Sequence, residues 1–211
     1  MRRARRYIVR VRHDASVRVT IPRGGSRAEA ARFVRRQMAW IARERERVLA
    51  AHVTRAWTDG ATLMLRGELV VIHVRLASDG SPTIRYGERI VIVPEGHDIR
   101  RCIENDLRAL ARDELGHRLC ALAALHNLTI SRFTIRNQRS RWGSCSRAGR
   151  IALNYRLVQM PPAIADYVIL HELMHLKEQN HSRRFWRLVE DVCPDYRDAE
   201  RWLRRHGPGL L

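Results

Sequence analysis

A chain of 211 residues, 45% of them hydrophobic, is long enough to bury a core and to form one domain or two small ones. It contains no apolar run of roughly 18 residues, which excludes a transmembrane helix, and its basic start leads into an alternating segment instead of a signal-peptide core, so a cytoplasmic location is expected. The formal net charge is +18, and the first fifty residues hold fifteen arginines against four acidic residues. That clustering suits contact with a polyanion or nucleic acid. Two features oppose it: Lys177 is the one lysine, a bias that GC-rich codon usage also produces, and Tyr7, Phe33 and Trp40 are too dispersed for a stacking platform.

Taken in order, the alternating runs Tyr7–Val11 and Val17–Ile21, with His13–Ser16 between them, predict a hairpin. Ser26-Arg-Ala-Glu29 is a capping-box signature and opens one helix running to about Ala50. Thr62–Leu76 and Thr83–Val93 are rich in β-branched residues and are interrupted at Arg66-Gly67, Ser78–Pro82 and Tyr86-Gly87, which predicts two more hairpins. Asp98–Leu125 reads as a long helix, with Ile103, Leu107, Leu110, Leu115, Leu119 and Leu122 recurring on one face. Thr129–Arg136 and Arg141–Leu157 read as strands, the second bent at Ser146–Gly149, with Ile151–Leu157 expected beside the helix that follows. The chain is thus expected to be α+β. Pro94-Glu-Gly96 is the expected boundary between a β-rich front part with one helix, 1–96, and a helix–sheet–helix part, 97–211.

The segment His171-Glu172-Leu173-Met174-His175 carries the chemistry. Pro161-Pro162 suits a helix start, and Ile164, Tyr167, Val168 and Leu170 follow at helical spacing, with Gln179-Asn180 ending the pattern. Residues four apart share a helix face, so His171 and His175 aim two imidazoles at one point with Glu172 alongside. That is the pattern of a catalytic zinc site. Ser182 caps a further helix, Arg183–Cys193, with Phe185, Trp186, Val189 and Val192 on its apolar side. His181 falls at the corner between the two helices and can return as third ligand, leaving one position open. Cys102, Cys120, Cys145 and Cys193 form no Cys-x-x-Cys pair and read as reduced thiols, with Cys145 expected near the metal. The stretch Arg201–His206 reads as a solvated helix end.

The stretches Arg139–Cys145, Ile151–Leu157, His171–His175, Asn180–Trp186 and Cys193–Tyr196 together resemble the YgjP-like metallopeptidase domain, a family related to the SprT-like and WLM zincins. The resemblance is strongest over 130–206. It implies a zincin-type fold, with a small sheet packed on the His-Glu-x-x-His helix, His171, His175 and His181 as ligands, and Glu172 as the catalytic carboxylate. It also implies that the Arg141–Ser146 strand holds an extended peptide. Arg141, Trp142, Ser144 and Asn154 are the residues expected at the substrate.

The expected function is a zinc-dependent metallopeptidase acting on a peptide or protein substrate with one Zn²⁺ per chain. Three neutral histidines leave the metal its full charge, so that its water ionises at about pH 7, and Glu172 takes that proton and passes it to the leaving amine. One alternative is a hydrolase of phosphorylated small molecules or nucleotides, resting on Arg139, Arg141, Arg183 and Arg184; against it, phosphoanhydride chemistry more often uses oxygen-ligated Mg²⁺. A further alternative is a nucleic-acid-associated protease.

Overall fold

The structure is a computed structural model and describes residues 6–12, 15–53, 57–77, 80–94 and 96–210. Two expected turns and the expected boundary include residues outside that set: His13 and Asp14, Ser78 and Asp79, and Glu95. The same holds for residues 1–5 of the basic start. The chain divides into two compact units, Met1–Ala56 and Trp57–Leu211.

The first unit has an antiparallel hairpin, β1 (Ile8–Val11) and β2 (Val17–Thr20), with Ile8 opposite Thr20 and Val11 opposite Val17. Two helices follow, α1 (Arg27–Arg36) and α2 (Met38–Val53). The capping box forms as expected: Ser26 Oγ accepts the Glu29 N–H at 3.1 Å, and Glu29 Oε2 accepts the Ser26 N–H at 2.9 Å. The Tyr7 hydroxyl donates to the same carboxylate at 2.6 Å, which ties the start of the hairpin to the helix. The single helix expected over Ser26–Ala50 is instead broken at Gln37. That residue sits at φ −102°, ψ 6°, and its N–H reaches the Val34 carbonyl three residues back, which ends the α-helical ladder.

The second unit opens with an antiparallel meander of β3 (Thr62–Leu65), β4 (Glu68–Leu76), β5 (Pro82–Tyr86) and β6 (Arg89–Ile92). Arg66 and Gly67 both have positive φ, 50° and 89°, as a tight two-residue hairpin turn requires. The long helix α3 (Ile99–Leu125) buries the expected apolar face. A three-stranded sheet follows, ordered β7 (Arg132–Arg136), β9 (Arg150–Asn154), β8 (Gly143–Cys145). Strand β7 runs parallel to β9 and β8 antiparallel to it. The strand expected to reach Leu157 ends at Asn154, where the side-chain oxygen accepts the Arg156 N–H at 3.2 Å and turns the chain into a 3₁₀ helix, Tyr155–Gln159. Helices α4 (Pro162–Met174), α5 (Arg183–Val192) and α6 (Tyr196–Leu210) complete the unit. Among the described residues no helix is long and apolar enough to cross a membrane.

One core joins these elements. Leu63, Leu65, Ile72, Ile84 and Tyr86 belong to the same buried cluster as Leu107 of α3 and Ile169 of α4. The boundary expected at Pro94–Gly96 therefore falls inside the second unit. Arg89 forks onto Asp106 at 2.9 and 2.5 Å, and the Tyr86 hydroxyl donates to the same carboxylate, locking the meander to α3. The β3–β4 turn docks on the 3₁₀ helix: Arg66 N–H donates to Val158 O at 2.8 Å and Gly67 N–H to Gln159 O at 3.1 Å. A Cβ at Gly67 would lie 2.9 Å from Pro161 Cα, so the turn touches the backbone from which α4 starts.

Candidate metal centre

Helix α4 starts at Pro161-Pro162 and is buried almost all round: Ile164, Tyr167, Val168, Ile169, Leu170, Leu173 and Met174 are all in the core. A helix packed on every side holds its side chains in fixed directions. His171 lies in its last turn. The helix ends at Met174, earlier than Gln179-Asn180, but His175 at the C-cap keeps helical backbone angles, φ −64° and ψ −15°, so the four-residue spacing still places it beside His171. His181 stands at the exposed corner before α5, where Ser182 Oγ accepts the Phe185 N–H at 3.3 Å.

The three imidazoles converge. One ring nitrogen from each of His171, His175 and His181 lies within 4.8 Å of the others, and His171 Nε2 is 3.0 Å from His181 Nε2. Two nitrogens at that separation can both reach a metal at ~2.0–2.1 Å. His175 Nδ1 is 3.0 Å from the main-chain oxygen of Glu178, which leaves Nε2 for the cluster. Glu178 thus orients the ring through its backbone and not its carboxylate, whereas the Asp166 carboxylate on α4 is taken by Arg118 at 2.7 and 2.8 Å. Tyr167 makes a long contact of 3.5 Å with His171 Nδ1. Phe185 stacks on His175 at 4.4 Å and Trp186 on His181 at 5.8 Å, so α5 braces the rings.

Charge follows burial. Desolvation, then the neighbouring His175 and His181, pushes the His171 pKa down to about 3. His175 is lowered as well, chiefly by burial. Both rings are therefore neutral near pH 7, the form that can ligate a metal. Glu172 is 6% exposed. Burial pushes its carboxyl up to about 7, against a smaller opposing effect of Arg141. Its place is made by β8: a Cβ at Gly143 would lie 2.5 Å from Glu172 Cγ.

A cavity of about 560 Å³ opens over these groups. Arg141, Trp142 and Ser144 line it. Asn154 does not. It is fully buried, and its Nδ2 donates to Gln138 O at 2.6 Å and Arg141 O at 3.2 Å, so it shapes the loop entering β8 from behind. Of the four arginines that suggested a phosphate substrate, Arg141 lines the cavity, and Arg139, Arg183 and Arg184 are not among its lining residues. Cys145 lines it as a thiol whose pKa is pushed to about 11, by burial and then by Glu172. Sequence reasoning missed the contribution of α6. Leu203 lines the cavity, and Gly207 lies against Trp142, where a Cβ would come within 3.1 Å of Cζ2. The Arg201–His206 stretch is thus part of a helix that backs the site.

A neutral histidine cluster beside a buried carboxylate, open to a cavity, suits hydrolysis at a metal ion. A family model described as YgjP-like, metallopeptidase domain matches residues 5–206. The chain belongs to that family, and its class is that of a metallopeptidase. Among solved structures, it is similar to the crystal structure of the metallopeptidase zymogen of Pyrococcus abyssi abylysin, with 26% identity over 48% of this chain and 92% of that one, and a TM-score of 0.34. No curated protein matches.

Proposed function

We propose that this chain is a zinc-dependent peptidase in which His171, His175 and His181 hold one Zn²⁺ and Glu172 is the catalytic carboxylate. The observation that carries the reading is the convergence of three imidazole nitrogens within 4.8 Å, beside a carboxylate that is 6% exposed. Three neutral nitrogen donors suit a catalytic zinc, because structural sites fill all four positions and favour cysteine. Bound there, zinc supplies a Lewis acid that acidifies water and polarises a carbonyl. Glu172, which lines the same cavity as the three imidazoles, is placed to accept a proton from the attacking water and to return it to the leaving amine.

Peptide recognition rests on β8, an edge strand. Asn154 N–H donates to Trp142 O at 2.8 Å and Ser146 N–H to Arg150 O at 3.0 Å. By the alternation of an antiparallel ladder, the main chain of Ser144 then faces β9, while that of Gly143 and Cys145 faces the other way. An extended peptide pairs with those outward groups, which is sequence-tolerant recognition by strand addition. Arg141, Trp142 and Ser144 contact the substrate, and Asn154 positions the loop that carries them. A cytoplasmic setting accords with four free cysteines. The exposed Arg27, Arg32, Arg35 and Arg36 of α1 support a weak contact with polyanions.

The test is elemental analysis of the wild type, Glu172→Gln and His181→Ala, with peptide cleavage measured on each. About one zinc per chain is expected in the first two and a loss in the third. Cleavage is expected in the wild type alone, and a chelator should abolish it. Metal retained by His181→Ala, or cleavage that survives Glu172→Gln, overturns the assignment.

A further inference from the structure

One side of the histidine cavity is apolar. Helix α4 lines the cavity over two turns. The last turn and its C-cap carry His171, Glu172 and His175, and the turn before carries Tyr167 and Val168. Tyr167 stands four residues before His171 and Val168 four before Glu172, so each shares a helix face with the reactive group one turn on. At 1.5 Å per residue the two turns are about 6 Å apart. Trp142, just before β8, and Leu203 of α6 line the same space. Ser140, Arg141, Ser144 and Gln179 line it too, and they come from β8, the loop entering it and the segment after α4.

Helix α6 supplies an independent observation. Tyr196, Ala199, Leu203 and Gly207 recur at three- and four-residue spacing, which is the stripe a helix turns toward its core. Tyr196 and Ala199 are buried, and Gly207 is buried against Trp142. Leu203 alone of the four is half-buried. The chain covers its neighbours on the stripe, whereas Leu203 stands where the stripe passes the cavity. An apolar side chain left exposed inside a cavity gains from an apolar group that displaces the water over it.

We propose that this apolar side is the pocket for the side chain on the leaving-amine side of the scissile bond, and that Leu203 makes it select a large apolar residue there. The inference rests on the peptidase reading of the site. Glu172 returns its proton to the leaving amine, so that nitrogen must come within hydrogen-bond reach of the carboxylate, about 2.6–3.2 Å. The residue carrying it therefore lies beside Glu172. The apolar surface one turn from that carboxylate is Val168, and Leu203 and Trp142 line the same space. Trp142 also precedes Gly143, the residue packed directly on Glu172. Strand addition at β8 is indifferent to side chains, and one apolar pocket beside it gives selectivity at a single position. The cavity, about 560 Å³ in all, has room for such a side chain beside the reacting groups.

The test is peptide cleavage by the zinc-loaded full chain, as wild type, Leu203→Ala and Leu203→Glu. One peptide panel varies only the residue on the amine side of the cleaved bond, through glycine, alanine, leucine, phenylalanine, aspartate and lysine. A second panel varies the residue on the carbonyl side. For the wild type, kcat/KM should be at least about ten-fold higher for leucine or phenylalanine than for glycine on the amine side. Leu203→Ala should shrink that ratio. Leu203→Glu should move the amine-side preference toward lysine and leave the carbonyl-side preferences as they are in the wild type. A merely loosened fold would slow both panels alike and would not exchange one preference for another. Calorimetric binding of the leucine and glycine peptides to zinc-loaded Glu172→Gln gives a readout without turnover, and the leucine peptide should bind more tightly. A flat amine-side panel, or a preference that Leu203→Glu leaves unchanged, overturns the inference and leaves the peptidase reading intact. A wild-type preference for aspartate would place Arg141 at that side chain and overturns it as well. Cleavage of no peptide in either panel overturns the peptidase reading and this inference with it. Should Leu203→Glu fail to fold, Leu203→Ala decides alone.

Discussion

Gly143→Ala tests whether β8 fixes the position of Glu172. The added methyl would meet Glu172 Cγ at 2.5 Å, Oε1 at 2.6 Å and Cδ at 2.8 Å, whereas non-bonded carbons settle at roughly 3.5–4.0 Å. The carboxylate must withdraw by about 1 Å, which in a packed interior costs about 1–3 kcal/mol. Gly143 does not use the left-handed backbone, so the cost is steric and not conformational. Catalytic loss should exceed the stability loss, since misplacing a reacting group by about 1 Å can cost on the order of 100-fold in rate. Metal content should be unchanged, because the three histidines come from α4 and the corner before α5. The assay is a double-mutant cycle read by denaturant unfolding of the metal-free protein, with kcat and metal content alongside. In the Glu172→Ala background all three close atoms are gone, and Gly143→Ala should cost less than about 0.5 kcal/mol. An equal cost in both backgrounds refutes the argument, as does a loss of metal in step with activity.

Glu172→Gln should stabilise the metal-free protein at alkaline pH. The wild-type carboxyl titrates at about 7 when folded, against an unfolded value of 4.5. The folded state therefore binds the extra proton between those values, and wild-type stability falls as pH rises from 4.5 through 7. At about 1.4 kcal/mol per pH unit the loss is on the order of 3 kcal/mol. Urea unfolding at pH 5 and pH 8.5 should show the variant's relative advantage growing between them, and a constant difference would contradict the burial of Glu172. Gly67→Ala should lower stability by more than about 2 kcal/mol, because φ +89° strains any Cβ and this one meets Pro161 at 2.8–3.0 Å. Gly60→Ala, at φ +78° with nothing within 4 Å, carries the backbone part alone. Equal losses in thermal unfolding would mean that the hairpin turn does not dock on the start of α4. Trp142→Ala should raise KM for peptides more than it lowers kcat, since the indole lines the cavity and packs on Gly207 but does not touch the proton path.

The histidine cluster is legible in the sequence because its geometry is short-range. His171 and His175 are related by one helical turn, and His181 needs only a corner between two helices whose limits Pro161-Pro162 and Ser182 announce. The capping box at Ser26 and the positive-φ turn at Arg66-Gly67 are legible for the same reason: each is decided within four residues. What sequence reasoning could not reach is decided by contacts distant along the chain. Asn154 has the residue type of a cleft amide, and its distinction is that two carbonyls from 13 and 16 residues earlier end at its Nδ2. The Arg201–His206 stretch looks solvated by its charge, yet one residue in it, Leu203, and the glycine just beyond it decide its role, since Gly207 is what allows α6 to approach Trp142.

The break at Gln37 and the 3₁₀ helix at Tyr155–Gln159 show the complementary limit, where hydrophobic spacing continues while the backbone does not. Periodicity reports which face is buried, not which carbonyl each N–H chooses. At Tyr155 that choice has a chemical consequence. Continuing the strand would have alternated Tyr155 and Arg156 to opposite faces of the sheet. The 3₁₀ turn, set by the Asn154 side chain, instead brings the Arg156 guanidinium over the Tyr155 ring and within reach of Asn137. One buried amide therefore shapes both the loop that enters β8 and the 3₁₀ turn that follows β9. Replacing Asn154, as Asn154→Leu, should lower peptide turnover while leaving zinc content near one per chain, because it frees the loop entering β8 without touching the three histidines.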